Sequence, residues 1–163
     1  MKLVYLSLGS NLGDRAAHLQ RALDELATAG IEVARVSPFF RTEPLDYRPQ
    51  PWFLNGVAEI RTELLPLRLL STLQRIERKM GRRRTLPKGP RTIDLDILFY
   101  DNAVVRTPAL TIPHPRIGER KFVLVPLGEL VPDFRHPVTR KTVREMLSET
   151  ADRSQIVRCE SAS

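Results

Sequence analysis

The hydrophobic pattern predicts a strand and a helix at the start of the chain. Residues 3–8 are apolar enough for a central strand, and the turn predicted at 9–13 leads to Asp14, a residue that favours a helix start. From Asp14 to about Ala29, apolar residues recur with the i, i+3, i+4, i+7 spacing of a one-sided helix. Residues 31–39 then alternate as in a second strand.

A second run of strands and a helix follows a proline-rich segment. Residues 44–51 contain three prolines and predict a loop, after which a strand is expected at 52–61. Pro66 suits the first turn of a second amphipathic helix. The segment 82–92 carries five basic residues and predicts another loop before a strand at 93–100. The order β-α-β-β-α-β predicts an α+β fold: a ferredoxin-like sandwich with a mainly antiparallel sheet, both helices on one face and the other face open to a ligand.

The pattern beyond residue 100 predicts smaller additions to this fold. We expect a hairpin and loop at 101–115, a further strand or turn at 119–127 and a short helix at 138–149. The polar end, 151–163, is expected to fray. With 163 residues, 42% of them apolar, the chain is predicted to form one domain spanning 1–163.

Charge and cysteine content narrow the class of partner. Lys and Arg number 26 against 19 Asp and Glu, and the net charge of +7 favours an anionic ligand without choosing between nucleic acid, acidic membranes and polyphosphates. Cys159 is the only cysteine, so we expect no intrachain disulfide, no thiolate zinc cluster and a cytoplasmic location. The chain shows neither a signal-peptide pattern nor the roughly 18 uncharged apolar residues of a membrane span. No membrane partner is expected.

Two aspartates alternate with apolar residues in the strand predicted at 93–100. A period of two places Asp94 and Asp96 together on the open face, with their Cα atoms roughly 6 to 7 Å apart. Two such carboxylates repel each other, so a nearby cation is expected. Hard oxygen ligands without His or Cys beside them suit Mg²⁺ shared with substrate phosphates. The alternative is that both carboxylates pair with Arg91 or other arginines of segment 82–92 on a solvated face.

Aromatic residues and one histidine are further candidates for ligand contacts. The parity of strand 52–61 puts Phe53 and Asn55 on the open face, where a ring beside an amide suits a flat heterocycle. An aromatic packed beneath a loop is an equally common arrangement. Phe122 is either a second stacking ring or a core residue. His114, held between two prolines, either contacts a phosphate or a base or is a loop histidine with no role.

A series of short motifs runs in order along nearly the whole chain. The most specific is GPRTIDLDIL at 89–98. The others are LGSNL at 8–12, RT at 41–42, FLN at 53–55, QRIE at 74–77, GR at 81–82 with Arg84, PHP at 113–115, and Arg120 with Phe122. In this order the motifs resemble the 6-hydroxymethyl-7,8-dihydropterin pyrophosphokinase family.

The resemblance implies a reaction and a set of site residues. The reaction is transfer of the diphosphoryl group of ATP to 6-hydroxymethyl-7,8-dihydropterin, giving AMP and the pterin diphosphate in folate biosynthesis. Two Mg²⁺ ions are expected on Asp94 and Asp96, with Arg82 and Arg91 closest to the transferred group. ATP contacts are expected at Arg82, Arg84, Arg91, Ile97, Thr111, His114 and Arg120. Pterin contacts are expected at Thr42, Leu45, Phe53, Asn55 and Phe122.

Four positions depart from the family pattern. Phe53 and Pro115 stand where the family has tyrosine, Lys88 where a tryptophan occurs and Ala109 where an arginine occurs. These changes are expected to bear on nucleotide affinity and loop closure more than on the reaction. The segments 44–51 and 82–92 are expected to close over the substrates and exclude water.

Two other classes of protein share some of these features. RNA-recognition domains have the same order of elements, but they require an aromatic-rich RNP pattern that this chain lacks, and two carboxylates on the open face would repel a phosphate backbone. No nucleic-acid partner is therefore expected. A regulatory small-molecule-binding domain would bind nucleotide without forming AMP. Nothing in the sequence requires an oligomer, and a monomer is predicted.

Overall fold

A computed structural model describes residues 1–45, 49–81 and 91–159. The strands are β1 (Lys2–Ser10), β2 (Glu32–Val36), β3 (Phe40–Thr42), β4 (Phe53–Thr62), β5 (Asp94–Tyr100), β6 (Val105–Arg106), β7 (Thr111–Ile112) and β8 (Ile156–Arg158). The helices are α1 (Arg15–Thr28), α2 (Pro66–Lys79), α3 (Lys121–Leu130) and α4 (Val143–Glu149), with a short 3-10 helix at Ile117–Glu119. The predicted β-α-β-β-α-β order and the hairpin after it are confirmed.

The two long helices begin and end where the sequence predicts. Asp14 caps α1 by accepting a hydrogen bond from the backbone N–H of Ala17 at 3.1 Å. Pro66 is the first residue of α2, where its missing N–H costs nothing. Gly30 and Gly81 follow the two helices with φ angles of 82° and 85°, a left-handed conformation that glycine adopts without strain.

Six strands form one antiparallel sheet in the order β5-β1-β4-β3-β8, and β2 also pairs with β4. Within the segment predicted as a strand at 31–39, β2 ends at Val36; β3 begins just beyond the segment, at Phe40, and both strands pair with the same edge of β4. The interruption falls at Ser37 and Pro38. The Ser37 hydroxyl accepts the N–H of Val57 and the Ser37 N–H donates to the carbonyl of Val57, so Ser37 pairs both backbone groups of Val57 at the break.

Helices cover both faces of the sheet. On one face, α1 and α2 bury a core that includes Leu6, Leu26 and Leu73. On the other face, α3 and α4 bury a second core around Tyr5 and Phe99. The prediction of an entirely open second face is wrong, because these helices cover much of it. The cavity described below lies on this face, where Ser7, Gly9 and the β5 aspartates line it.

The segment predicted as a strand or turn at 119–127 is helix α3. Val123, Leu124 and Leu127 have the i, i+1, i+4 spacing of a buried helical stripe, and all three pack in the second core. Pro126 inside the helix obscured this pattern. The helix predicted at 138–149 begins only at α4, because Thr142 and Glu145 form a capping box there.

The end of the chain is ordered as far as the structure describes it. Residues 151–163 were expected to fray, but β8 pairs with β3 in antiparallel register. The edge of β3 offers backbone groups that a polar sequence pattern does not reveal. None of the helices in the described ranges is long and apolar enough to cross a bilayer.

Candidate active site

Strand β5 carries two aspartates on the sheet face opposite α1 and α2. The residues that alternate with them are buried in the first core: Ile93, Leu95 and Ile97. In the sheet register Asp94 pairs with Gly9 of β1, and Asp96 pairs with Ser7. Small residues on the neighbouring strand leave space beside both carboxylates. The predicted parity of this strand is confirmed.

A cavity of about 280 Å³ lies in front of Asp94 and Asp96. Among the predicted site residues, those in its walls are Thr42, Leu45, Phe53, Asn55, Arg91, Asp94, Asp96, His114, Arg120 and Phe122. They come from separate strands, a loop and the start of α3. The fold therefore brings the predicted metal ligands, phosphate contacts and pterin contacts to one place.

Two described residues of the predicted site, Ile97 and Thr111, do not line this cavity. Ile97 is 4% exposed and its side chain is part of the first core, so any contact with adenine would come from its backbone. Thr111 borders a neighbouring cavity of about 740 Å³, and His114 lies in the walls of both cavities. Arg82 and Arg84 fall outside the described residues.

Asn55 is fixed by its neighbours at one end of the cavity. It is 3% exposed, and its Nδ2 donates to Thr42 Oγ1 at 2.6 Å. In the sheet it pairs with Gly9, where a Cβ atom would lie 2.5 Å from Asn55 Oδ1. Gly9 is therefore required by the close approach of this amide. A buried amide held in one orientation is suited to recognising the polar edge of a heterocycle.

Two aromatic rings in the cavity wall each have an arginine beside them. The guanidinium carbon of Arg91 lies 5.9 Å from the centre of the Phe53 ring, and that of Arg120 lies 5.5 Å from the centre of the Phe122 ring. These distances are in the range of cation–π contacts. Each pair places a flat apolar surface next to a positive charge. This combination suits a site that binds an aromatic ring close to a phosphate group.

One ion pair of the alternative arrangement, in which the aspartates pair with loop arginines, is present among the described residues. Arg91 Nη1 lies 3.8 Å from Asp94 Oδ2, which is an ion pair at the long limit and too far for a strong hydrogen bond. Both side chains are about a quarter exposed, at 23% and 25%. An ion pair this long and this exposed contributes little to stability.

His114 is held in one tautomer. Its Nδ1 accepts the backbone N–H of Arg116 at 3.1 Å, so the proton of the neutral ring is on Nε2. Burial, followed by the positive charge of Arg120, lowers the pKa of His114 to about 4, against a smaller opposing effect of Asp94. The ring is therefore neutral at physiological pH and has one N–H to donate.

Asn11 and Glu77 are buried residues whose side chains hold the backbone of the site in place, a role that the sequence did not predict. Glu77 of α2 is 6% exposed, and its Oε2 accepts the backbone N–H of Leu95 at 2.8 Å, between the two aspartates. Asn11 is 1% exposed and bonds to Arg91 on one side and to Gln50 on the other. Their place in the LGSNL and QRIE motifs was the only available signal.

The donor set fits Mg²⁺ better than a transition metal. Among the described residues, no group of three or more His, Cys, Asp or Glu side chains is placed to hold a metal ion by itself. Two carboxylates that line a cavity with arginines are typical of a site where Mg²⁺ is shared with substrate phosphates. The residues present therefore fit the expected ion.

The sequence matches the family model described as 7,8-dihydro-6-hydroxymethylpterin-pyrophosphokinase (HPPK) over residues 5–132. The chain belongs to the HPPK family. This membership confirms the family predicted from the motifs, and pyrophosphoryl transfer to hydroxymethyldihydropterin is the reaction of that family.

Individual HPPK relatives agree over most of the chain. It is 46% identical over 161 residues to the 2-amino-4-hydroxy-6-hydroxymethyldihydropteridine pyrophosphokinase of Methylorubrum extorquens, a match that covers 98% of this chain and 100% of the relative. It is 50% identical over 147 residues to the folic acid synthesis protein fol1 of Schizosaccharomyces pombe, which covers 90% of this chain and 20% of the relative. The chain thus spans about a fifth of the length of that fungal protein.

Solved structures confirm the fold. The crystal structure of wild-type HPPK-DHPS from Plasmodium falciparum superposes with a TM-score of 0.69 at 16% sequence identity, covering 91% of this chain and 43% of the Plasmodium chain. At this identity the likeness concerns the backbone alone. The α+β architecture with its mainly antiparallel sheet is therefore that of an HPPK domain.

Proposed function

We propose that this chain transfers the β,γ-diphosphoryl group of ATP to the hydroxymethyl oxygen of 6-hydroxymethyl-7,8-dihydropterin, giving AMP and the pterin diphosphate. One observation carries the proposal: Asp94 and Asp96 share a cavity of about 280 Å³ with Asn55 and two phenylalanine rings. This volume is near the lower end for small-molecule sites and suits one bicyclic ring. A phosphate-facing end and a ring-binding end are thus within reach of each other.

Asp94 and Asp96 would hold Mg²⁺, with two ions expected from the family resemblance. Bound there, the metal would neutralise phosphate charge and orient the triphosphate. The protein's contribution is a fixed pair of carboxylates. Strand β5 sets their spacing, and the hydrogen bond from the Leu95 N–H to Glu77 holds the intervening peptide in place.

The groups around the carboxylates would bind the phosphates. Arg91 and Arg120 line the cavity and offer planar donors that match phosphate oxygens. His114, as a neutral ring with its proton on Nε2, would stabilise phosphate charge as a hydrogen-bond donor. Arg82 and Arg84 join this set by their positions in the motifs, with Arg82 and Arg91 nearest the transferred group.

The pterin would lie at the other end of the cavity. Phe53 and Phe122 would stack on its faces, and Asn55, held by Thr42, would read its polar edge. Leu45 and the backbone near it would close the same wall. Catalysis on this account comes from positioning and electrostatic stabilisation of the developing charge. The predictions of a monomer and of a cytoplasmic location stay predictions.

Product analysis tests this reaction. The protein is mixed with Mg²⁺, ATP and 6-hydroxymethyl-7,8-dihydropterin, and the nucleotide products are separated by chromatography. We expect AMP that forms only when the pterin is present. ADP would indicate transfer of one phosphoryl group by an ordinary kinase, and the absence of pterin-dependent AMP would overturn the proposal.

A further inference from the structure

The end of the chain contacts one wall of the cavity through β3. Strand β8 pairs with β3, with Ile156 opposite Thr42, the residue that holds Asn55. Two more hydrogen bonds continue the contact: the N–H of Gln155 donates to Glu43 Oε1 at 2.7 Å, and the N–H of Glu43 donates to the carbonyl of Gln155 at 3.2 Å. The wall that carries Thr42 and Glu43 is therefore hydrogen-bonded to residues 155 and 156 of the chain end.

The same segment contacts a second wall through the start of α3. Asp152 Oδ2 accepts the backbone N–H of Lys121, the first residue of α3, at 2.9 Å, although it lies 31 positions further along the chain. The N-cap residue of this helix, Arg120, makes no side-chain cap of its own. Asp152, which lies outside the helix, thus supplies the side-chain acceptor that the N-cap residue does not.

Lys121 is placed between two residues of the cavity. Arg120 precedes it and Phe122 follows it, and both line the cavity. Because the direction of both side chains depends on the backbone at Lys121, a shift of this peptide would move the guanidinium and the ring together.

Asp152 is itself held in a fixed orientation. Its Oδ1 accepts the N–H of Ser154 at 2.8 Å, and its own N–H donates to Thr150 Oγ1 at 3.3 Å. Burial acts to raise the pKa of Asp152, but the hydrogen bonds from Ser154 and Lys121 outweigh it and lower that pKa below its ordinary value. The carboxylate is charged at neutral pH, and it is a stronger acceptor for that reason.

We propose that residues 152–158 position the pterin site, with Asp152 as a positioning residue that acts through the Lys121 N–H on Arg120 and Phe122. This inference rests on the proposed pterin site. It goes beyond the family match, which ends at residue 132. The segment links two walls of the cavity that are separate in sequence.

Binding of 6-hydroxymethyl-7,8-dihydropterin in the presence of Mg²⁺ and α,β-methylene-ATP tests the proposal. This analogue has no cleavable bond between the α and β phosphorus atoms, so no transfer occurs. We expect Asp152→Ala to weaken pterin binding about tenfold, since one charge-assisted hydrogen bond is lost. Affinity for the ATP analogue alone should fall less than affinity for the pterin, because Arg120 is only one of several proposed phosphate contacts. Asp152→Asn keeps one acceptor and should give an intermediate value.

Glu129→Ala is the matched control. Glu129 of α3 pairs with Arg158 of β8 at 2.9 Å, so it joins α3 to the same segment, 152–158, at an exposed position away from the cavity. This variant should bind pterin as the unmodified protein does. An equal effect of Asp152→Ala and Glu129→Ala would overturn the proposal.

A second variant covers the case in which Asp152→Ala does not fold. Lys121→Pro removes the N–H that Asp152 accepts, at a first helical position that proline tolerates. It should weaken pterin binding about as much as Asp152→Ala. Lys121→Pro also removes the long 3.5 Å hydrogen bond from Lys121 Nζ to the carbonyl of Ser154, so the double variant should bind pterin about as Lys121→Pro alone does, because both changes remove the contact between Asp152 and the Lys121 N–H. Additive effects would contradict the mechanism.

Phe122→Ala in the same assay separates this inference from the proposed function. If Phe122→Ala leaves pterin binding unchanged, the proposed pterin site is wrong. If Phe122→Ala weakens binding and Asp152→Ala does not, the site stands and only the positioning role of residues 152–158 fails.

Discussion

Asn11 and Arg91 are joined by two hydrogen bonds that close a ring. The backbone N–H of Arg91 donates to Asn11 Oδ1 at 2.7 Å, and the backbone N–H of Asn11 donates to the carbonyl of Arg91 at 3.0 Å. The Nδ2 of the same side chain donates to Gln50 Oε1 at 2.8 Å and to the carbonyl of Pro51 at 3.1 Å. One buried amide thus connects the segment before β4 with the segment before β5.

Replacing this amide should loosen both segments. Asn11→Ala leaves the Arg91 N–H without its acceptor, and we expect a loss of about 2 kcal/mol in the free energy of unfolding and at least a tenfold fall in kcat/KM for pterin. Asn11→Asp keeps the acceptor for Arg91 and loses the donors to Gln50 and Pro51, so its fall in kcat/KM should be smaller. Urea unfolding and steady-state kinetics measure the two effects. Equal kcat/KM values for Asn11→Ala and the unmodified protein would contradict this role.

Gly9→Ala should act on pterin binding through Asn55. The new Cβ would lie 2.5 Å from Asn55 Oδ1, so the amide must move and its 2.6 Å hydrogen bond to Thr42 is strained or broken. We expect the KM for pterin to rise by about tenfold, the effect of losing roughly one hydrogen bond, with little change in the KM for ATP. Gly118→Ala is the control, since a Cβ there has nothing within 4 Å. A rise in the KM for ATP alone would show that Asn55 does not contact the pterin.

Glu77 should matter for stability and for the spacing of the aspartates. Glu77→Ala removes the acceptor of the buried Leu95 N–H, and we expect a loss of about 2 to 3 kcal/mol in the free energy of unfolding. Glu77→Gln keeps an acceptor of the same shape and should lose less. Urea unfolding of the two variants gives the comparison. A larger loss for Gln than for Ala would contradict the assignment.

His114 should titrate well below an ordinary histidine. Its pKa is lowered to about 4, mainly by burial, so the folded protein binds this proton less readily than the unfolded chain with its ordinary value near 6.5. Stability from this group is therefore complete above about pH 6.5 and declines as the pH falls towards 4. NMR titration of the ligand-free protein should show the His114 ring proton shifting near pH 4. A midpoint between 6 and 7 would contradict the buried neutral ring.

The local features of this molecule were predictable from the sequence, and the long-range ones were not. The alternation of apolar and polar residues around Asp94 and Asp96 determines which face of the strand they occupy, independently of the rest of the fold. The same holds for Asn55. Helix α3 was missed because Pro126 breaks its pattern, and its burial depends on a core formed with β1 and β5. The contact between Asp152 and Lys121 joins residues 31 positions apart, and no periodic pattern encodes such a pair.

The rate of pterin-dependent AMP formation by Asp94→Asn and Asp96→Asn tests the central claim most directly. Each substitution keeps the shape of the side chain and removes the charge that would hold Mg²⁺, so we predict a loss of about 100-fold or more in turnover with an unchanged unfolding midpoint. Asp24→Asn, at an exposed position of α1, is the control and should be fully active. Full activity of either Asp94→Asn or Asp96→Asn would contradict the assignment of these carboxylates to the metal and to the reaction.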